Sequence, residues 1–278
     1  MVVKMQILII NLPKSQERRV FQEQQFLKFG LQPTFLQAVS TDQISEEQFN
    51  AEAFGWQRPL KKVELACFLS HKKAWQRVSA CNEPVLILED DAVVVSDIAQ
   101  LLQDIQSQIL NLRPDLINLE VRSRKKIVGK KPICHLNNSG YKLLDLFQER
   151  TGTGGYILFP TGAQKLLEKA NHYAAATADA FIFSTYSLNA YQVEPAALIQ
   201  EDQMIAYGLS ETENFESTIG RSENFKPIYK SLSEKKMFRK RRVMGQLQMA
   251  RRYLSVIFKA DKREIRLDRR KFDGTAQR

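Results

Sequence analysis

Three carboxylates stand in a row at Glu89-Asp90-Asp91, directly behind the apolar run Val85-Leu86-Ile87-Leu88. Like charges so close repel one another, and burial raises the cost, so such a cluster is normally relieved by a cation. Hard oxygen ligands suit Mg²⁺ or Mn²⁺, which in turn bridge the phosphates of a nucleotide. The same run also suits a solvated acidic turn or a helix start, where carboxylates are favoured. A second place is Thr151-Gly152-Thr153-Gly154-Gly155-Tyr156, whose glycines let backbone approach a sugar or phosphate closely. It matches neither the G-x-x-x-x-G-K-[ST] loop nor G-x-G-x-x-G, and it also serves simply as a turn before a strand. Asp179 opens an apolar helical run, where a carboxylate can take a proton from a sugar hydroxyl or cap the helix. His71 lies on a half-apolar helical stretch, usually a structural setting. No Ser/His/Asp or Cys/His signature of nucleophilic catalysis stands out.

The apolar pattern says which elements must position these groups. Met5–Leu12 reads as a buried parallel strand ended by Pro13, and Ser15–Phe29 as a helix with Phe21, Phe26 and Phe29 on one face. Thr34–Val39 is a second strand, Thr41–Lys62 a loop with one short helix, and Glu64–Cys81 a helix broken before Pro84. Val85–Leu88 is another buried strand, Asp97–Leu112 a helix, Leu116–Val121 a strand and Gly162–Ala170 a helix. Arg122–Lys131, rich in basic residues around a central Gly, is expected to be an exposed, mobile loop. Strands that are continuous apolar runs, alternating with helices, predict a parallel or mixed α/β sheet covered on both faces. In such sheets ligands bind at the carboxyl ends of strands, where Glu89-Asp90-Asp91 falls. About 230 residues suit one such domain.

Composition and charge narrow the class. The chain has 278 residues, 44% of them hydrophobic, so collagen-like and wholly disordered chains are excluded. Cys67, Cys81 and Cys134 form no CxxC pair, and a reducing compartment is expected. No apolar stretch approaches the roughly 18 residues of a membrane span. The N-terminus lacks a long apolar region followed by a small-residue cleavage site, so no signal peptide is expected and a cytosolic location is.

The net charge of +10 is uneven: residues 1–234 hold 25 basic and 27 acidic side chains, residues 235–278 hold 16 and 4. Between the basic clusters of that C-terminal segment, Met237, Phe238, Val243, Met244, Leu247, Met249, Tyr253, Leu254, Ile257 and Phe258 recur at mixed three-and-four spacings. That is the pattern of a basic amphipathic helix. It suits an anionic membrane surface, nucleic acid, or packing on the body by its apolar stripe. Neither an aromatic RNA-binding platform nor a helix-turn-helix accompanies it, so nucleic acid ranks last and the membrane surface first.

Taken in order, several segments resemble glycosyltransferase family 25, the group that includes lipooligosaccharide β-1,4-galactosyltransferases of Gram-negative bacteria. They are Ile10-Asn11-Leu12, Glu17-Arg18-Arg19, Val63-Glu64-Leu65-Ala66-Cys67-Phe68-Leu69-Ser70-His71 with Trp75, Leu88-Glu89-Asp90-Asp91 and Gly152-Thr153-Gly154-Gly155-Tyr156-Ile157. Gly162-Ala163, Asp179, the Pro195 to Gln200 segment and Ser217-Thr218-Ile219 follow. Lys62 and Val63 stand where the family often has Gly, and Ala178 where Pro or Val is common.

The resemblance implies a GT-A type fold: one Rossmann-like α/β domain with a mixed sheet over residues 1–234, with 235–278 as a basic amphipathic helical tail. It implies that Asn11, Leu12 and Arg18 lie near the nucleotide, with Ala38 and Val39 at the next strand end and Gly154 and Gly155 close by. Glu89, Asp90 and Asp91 would hold Mn²⁺ (or Mg²⁺) on the UDP diphosphate, Asp91 foremost. Asp179 would be the catalytic base, with Glu120 and Glu201 in reserve, and Glu64, Ser70 and His71 would shape the walls. The reaction implied is inverting transfer of galactose from UDP-galactose to a hydroxyl of a lipooligosaccharide or lipopolysaccharide acceptor glycan. UDP-glucose and UDP-N-acetylhexosamine are the neighbouring donors. A non-catalytic peripheral membrane protein is the competing class. An acceptor anchored by lipid would place the enzyme in the cytoplasm, peripheral on the cytosolic face of the inner membrane, with its tail on anionic lipid and no nucleic-acid partner.

Overall fold

A computed structural model describes residues 5–148, 152–210, 229 and 231–273. Met1–Lys4, Thr151 and Ser217-Thr218-Ile219 lie outside the described residues. The chain opens with β1 (Gln6–Asn11), α1 (Gln16–Lys28), β2 (Thr34–Gln37), α2 (Glu46–Glu52), α3 (Lys62–Ser79) and β3 (Val85–Glu89). It continues through β4 (Ala92–Val94), α4 (Ile98–Gln108), β5 (Leu116–Asn118), β6 (Glu120–Val121), β7 (Lys126–Gly129), β8 (Cys134–Leu136) and β9 (Tyr141–Gln148). Next come β10 (Gly155–Leu158), α5 (Pro160–His172), α6 (Ala178–Phe183), β11 (Ala190–Glu194), β12 (Leu198–Gln200), α7 (Leu232–Val256) and β13 (Ala260–Arg263).

The large sheet runs β13-β7-β9-β11-β5-β10-β3-β1-β2, with β8 on the side of β9. It is mixed: β1 is parallel to both β2 and β3, β5 is parallel to β11, and β10 lies antiparallel between β3 and β5. Alternation along the central strands explains why both faces are covered. Ile7, Ile9, Leu86 and Leu88 face Phe26 of α1 and Leu101, Leu102 and Ile105 of α4. Leu8, Ile10, Val85 and Ile87 face Leu65, Phe68, Trp75 and Val78 of α3, together with Leu166 and Phe181. A Cβ on Gly162 would stand 2.2 Å from the Asp115 carbonyl oxygen, so only glycine lets the first turn of α5 close on the sheet there.

Two registers position the site. The parallel pairing of Gln6 with Val85 through Ile10 with Glu89 leaves Asn11, the last residue of β1, abreast of Asp90, the first residue past β3. A small second sheet, β4-β12-β6, begins straight after the carboxylates, and its pairing of Gln200 with Ala92 sets Gln200 beside Asp91. The stretch Leu116–Val121, expected as one strand, therefore splits at Leu119, β5 joining the large sheet and β6 the small one.

The segment expected as an exposed basic loop is in part a buried strand. β7 lies between β9 and β13, and Lys126 Nζ donates to the Glu120 carbonyl at 2.7 Å and to Gln192 Oε1 at 2.8 Å. A lysine can be buried there because oxygens of Asn118, Glu120 and Gln192 replace the water around its ammonium group.

Nor is everything after residue 234 an appendage. β13 extends the large sheet, Ile265 and Phe272 are buried in its core, and Arg263 Nη1 and Nη2 donate to the two oxygens of the fully buried Glu194 carboxylate. Arg263→Ala is expected to lower the unfolding free energy by roughly 1–3 kcal/mol, since Glu194 stays buried with a partner removed. The same change at exposed Arg239 on α7 should leave the denaturation midpoint where it is. Equal midpoints for the two variants would mean that the 260–273 segment does not hold the fold together.

Candidate active site

The three carboxylates at the end of β3 meet three different fates. Asp90 turns back toward β1 and α1. Asn11 Nδ2 donates to its Oδ2 at 2.8 Å, and Arg18, in the first turn of α1, donates to its Oδ1 at 2.9 Å. One helical turn on, Gln22 Nε2 donates to the carbonyl oxygens of Asp90 (3.1 Å) and Ala92 (2.8 Å) and so fastens the turn. Burial pushes the Asp90 carboxyl above its ordinary value, and Arg18 offsets this only in part. With both oxygens engaged by the protein, Asp90 anchors the loop.

Glu89 faces the opposite way. Its Oε1 accepts from Thr153 Oγ1 at 2.5 Å and from His71 Nε2 at 3.2 Å, and its Oε2 accepts from Gln200 Nε2 at 3.0 Å. Behind His71, its Nδ1 lies 2.9 Å from the Tyr156 hydroxyl, which accepts from Trp75 Nε1 at 3.0 Å. With His71 donating from Nε2, one direction satisfies every group: Trp75 donates to Tyr156, Tyr156 to His71, His71 to Glu89. Burial works against the Glu89 charge, but the hydrogen bonds from His71 and Thr153 outweigh it and hold the carboxyl below its ordinary value.

Asp91 is the least compensated of the three. Its Oδ1 accepts from the same Gln200 nitrogen at 3.2 Å, and burial together with the neighbouring Glu89 charge raises its carboxyl to about 7. Gln200 cannot turn its amide over, because Arg122 donates to its Oε1 while also donating to Asp202 Oδ2 at 2.7 Å. Gln200 comes from β12, Arg122 from just past β6 and Thr153 from the loop before β10, and the three meet the carboxylates through contacts distant in sequence.

Two cavities meet at this ridge. The smaller, about 180 Å³, is lined by Leu12, Arg18, Ala38, Val39, Ser70 and His71. The larger, about 710 Å³, reaches Arg58, Thr153, Asp179, Arg122 and, from α7, Arg242 and Gln246. Cys67, Glu89 and Asp91 line both. Four of the residues expected near a nucleotide thus share one cavity, with Asn11 behind them on Asp90.

The others are distributed as follows. Asp179 stands half-buried on the wall of the larger cavity in the first turn of α6, its Oδ1 accepting from the Ala180 backbone N–H at 2.8 Å. Gly154 and Gly155 line neither cavity. A Cβ on Gly154 would meet Gln200 Cγ at 2.5 Å and one on Gly155 would meet Leu198 Cδ1 at 2.1 Å, so these glycines let β10 pass close to β12. Glu120 and Glu201 are buried and line neither cavity, Glu120 accepting the Gly154 N–H at 2.9 Å. Glu64 is gripped by Arg58 through two hydrogen bonds of 2.6 and 2.7 Å, and Ser70 Oγ accepts the Val39 N–H at 2.8 Å. Both therefore hold walls in place.

The ridge has the chemistry to take a divalent cation. Glu89 and Asp91 are hard oxygen donors that share the Gln200 amide, and among the described residues their mutual repulsion meets no cationic partner as close as the one Arg18 gives Asp90. Ligand atoms of Cys67, His71 and Glu89 also lie within 4.8 Å of one another, a mixed set beside the same carboxylate.

Residues 4–182 match the family model described as "Glycosyltransferase family 25 (LPS biosynthesis protein)". A 96-residue stretch is 35% identical to a "Glycosyltransferase 25 family member" of Aedes aegypti, covering 31% of this chain and 16% of that protein. The match thus spans about a sixth of the insect relative's length. The "Lacto-N-neotetraose biosynthesis glycosyltransferase LgtE" of Neisseria meningitidis serogroup B is 25% identical over 71% of this chain and 74% of its own. The "Lipooligosaccharide biosynthesis protein lic2B" of Haemophilus influenzae is 26% identical over 52% and 56%. The family match takes in β1, α1, α3, the carboxylates after β3 and Asp179, and the chain belongs to glycosyltransferase family 25.

Proposed function

We propose that this chain is a GT-A type glycosyltransferase that moves galactose from UDP-galactose to a hydroxyl of a lipooligosaccharide or lipopolysaccharide acceptor. The observation that carries the reading is the ridge of Glu89 and Asp91 shared by two cavities of unequal size, with Asp179 on the wall of the larger. The parallel β2-β1-β3 unit, ending in carboxylates, supports the GT-A assignment. The smaller cavity offers apolar walls at Ile10, Leu12, Ala38 and Val39 for a base, and the cations Lys14 and Arg18 for phosphates. The larger has room for sugars. The printed names of the Neisseria and Haemophilus relatives support a glycan acceptor of the bacterial surface.

Glu89 and Asp91 would hold Mn²⁺ or Mg²⁺, which when bound supplies positive charge for the departing diphosphate. The residues of the chain do the rest. Lys14 and Arg18 hold the nucleotide side, and the Thr153 and His71 hydrogen bonds keep Glu89 ionised and aimed. The Asp179 carboxylate takes the proton of the acceptor hydroxyl as its oxygen bonds to the anomeric carbon and the bond from that carbon to UDP breaks, inverting the centre. A lipid-carried acceptor brings the enzyme to the cytosolic membrane surface as a peripheral protein.

The direct test is UDP release from a panel of UDP-sugars with lactosyl or N-acetylglucosaminyl acceptors, in Mn²⁺ and then EDTA. Turnover with UDP-galactose that EDTA abolishes is expected; turnover with another donor would correct the sugar, and EDTA-resistant turnover the metal. Asp179→Asn should lower kcat about 10²–10⁴-fold with UDP binding unchanged, as loss of a general base does. Near-normal kcat would remove that role.

The raised Asp91 carboxyl gives a pH prediction. The folded, metal-free chain keeps this proton up to about 7, whereas the unfolded chain loses it near 3.8, so the stabilisation present below that value is lost as pH rises through about 7. The melting temperature of the metal-free chain should therefore fall from pH 5 to pH 8 relative to that of Asp91→Asn. Mn²⁺ affinity should rise over the same interval, because the cation displaces the proton. Parallel melting curves for the two proteins would contradict both.

A further inference from the structure

Helix α7 has two working faces. Its N-terminus is capped by Ser231, whose Oγ accepts the Glu234 N–H at 3.1 Å. On the side toward the body, Phe238 is buried, Arg241 Nη1 donates to the Phe54 carbonyl at 2.7 Å, and Val256 packs with Ile127, Phe147 and Ala260. Arg242, Gln246 and Met249 on the same helix line the larger cavity. Gly245 lies so near Gln57 that a Cβ there would stand 2.0 Å from its Nε2.

The opposite side is apolar and faces solvent. Val243, Met244, Leu247 and Leu254, with Phe258 just past the helix end, follow one another at three- and four-residue spacings. Leu247 is 58% exposed, Leu254 66% and Phe258 93%. Lys236, Lys240 and Arg251 project from the same side by the helical period, also exposed. Between residues 232 and 259 there are nine Lys and Arg against one acidic residue, Glu234.

An exposed apolar stripe of this length marks a contact with something else. The charge decides what. A second copy of this face would set Lys236, Lys240 and Arg251 against the same cations, whereas an anionic lipid surface attracts each of them by about 1 kcal/mol and accepts the apolar side chains among its headgroups. Among the described residues no helix is long and apolar enough to cross a membrane, so α7 would lie in the interface.

We propose that the outward face of α7, from Lys236 to Phe258, docks on an anionic lipid bilayer and holds the larger cavity, lined by the helix's other face, beside the headgroups. The surface serves a lipid-carried acceptor, and in that it rests on the proposed function; its binding is measured without any sugar. Truncating the chain ahead of α7 would remove β13 and Phe272 from the fold as well, so the test keeps the full chain.

Sedimentation with phosphatidylethanolamine vesicles containing about one third phosphatidylglycerol should retain the wild type, and high salt should release it. Pure phosphatidylcholine should not hold it. Leu254→Ser with Phe258→Ser, and separately Lys236→Glu with Lys240→Glu, should each weaken binding at least tenfold while UDP release on a soluble acceptor stays unchanged. Reversing exposed Lys73 and Arg77 on α3 should leave vesicle binding as it is. Outward-face variants that bind like the wild type would overturn the proposal. So would a wild type that ignores anionic vesicles, or one that dimerises through this face and leaves lipid alone. Vesicle binding that survives in a chain inactive on every UDP-sugar would count against the enzymatic reading alone.

Discussion

Three carboxylates at the end of a buried strand are an electrostatic debt, and much of the surrounding structure is arranged around it. Asp90 is settled by Asn11 and Arg18, which β1 and α1 bring alongside through the register of two parallel strands. Glu89 is settled by His71, Thr153 and Gln200, drawn from a helix, a loop and the small second sheet. Asp91 is left with a share of one amide. This graded compensation concentrates the uncompensated charge at one point on the wall between two cavities, where a cation and a polyanionic ligand can meet it.

The geometry also explains why so many aromatic groups stand behind one glutamate. Trp75, Tyr156 and His71 form a one-way chain of donors in the core under α3, and a buried carboxylate can stay ionised when its donors have no freedom to turn. Gln200 is held in the same manner by Arg122, so its donor end cannot exchange places with its acceptor end. The site is stiff on its protein side.

Much of this was legible in the residues. The apolar runs around Leu8 and Leu86 announced buried parallel strands, and Glu89-Asp90-Asp91 announced a charge problem at the end of one. The resemblance to a known family then tied Leu12, Arg18, Ala38 and Val39 to one place, and they do share a cavity. What stayed hidden depended on contacts distant in sequence. Gln200 and Arg122 sit beside the carboxylates because of strand pairing, which has no local signal. Lys126 looked like a solvated charge and is buried among oxygens. Two glycines that suggested a phosphate cradle are instead clearances for the side chains of Gln200 and Leu198.

The pairing of β7 with β13 has a consequence in time. Gly129 finds its partner Ala260 well over a hundred residues later in the chain. During synthesis, β7 therefore emerges long before the strand that will cover it, and its outer backbone groups wait unpaired, the condition under which a nascent sheet recruits the wrong neighbour. Charge is one of the devices that keep such an edge from pairing prematurely. Lysines at 125, 126, 130 and 131 stand in and beside that strand, and charge of this kind disfavours edge pairing with a wrong neighbour.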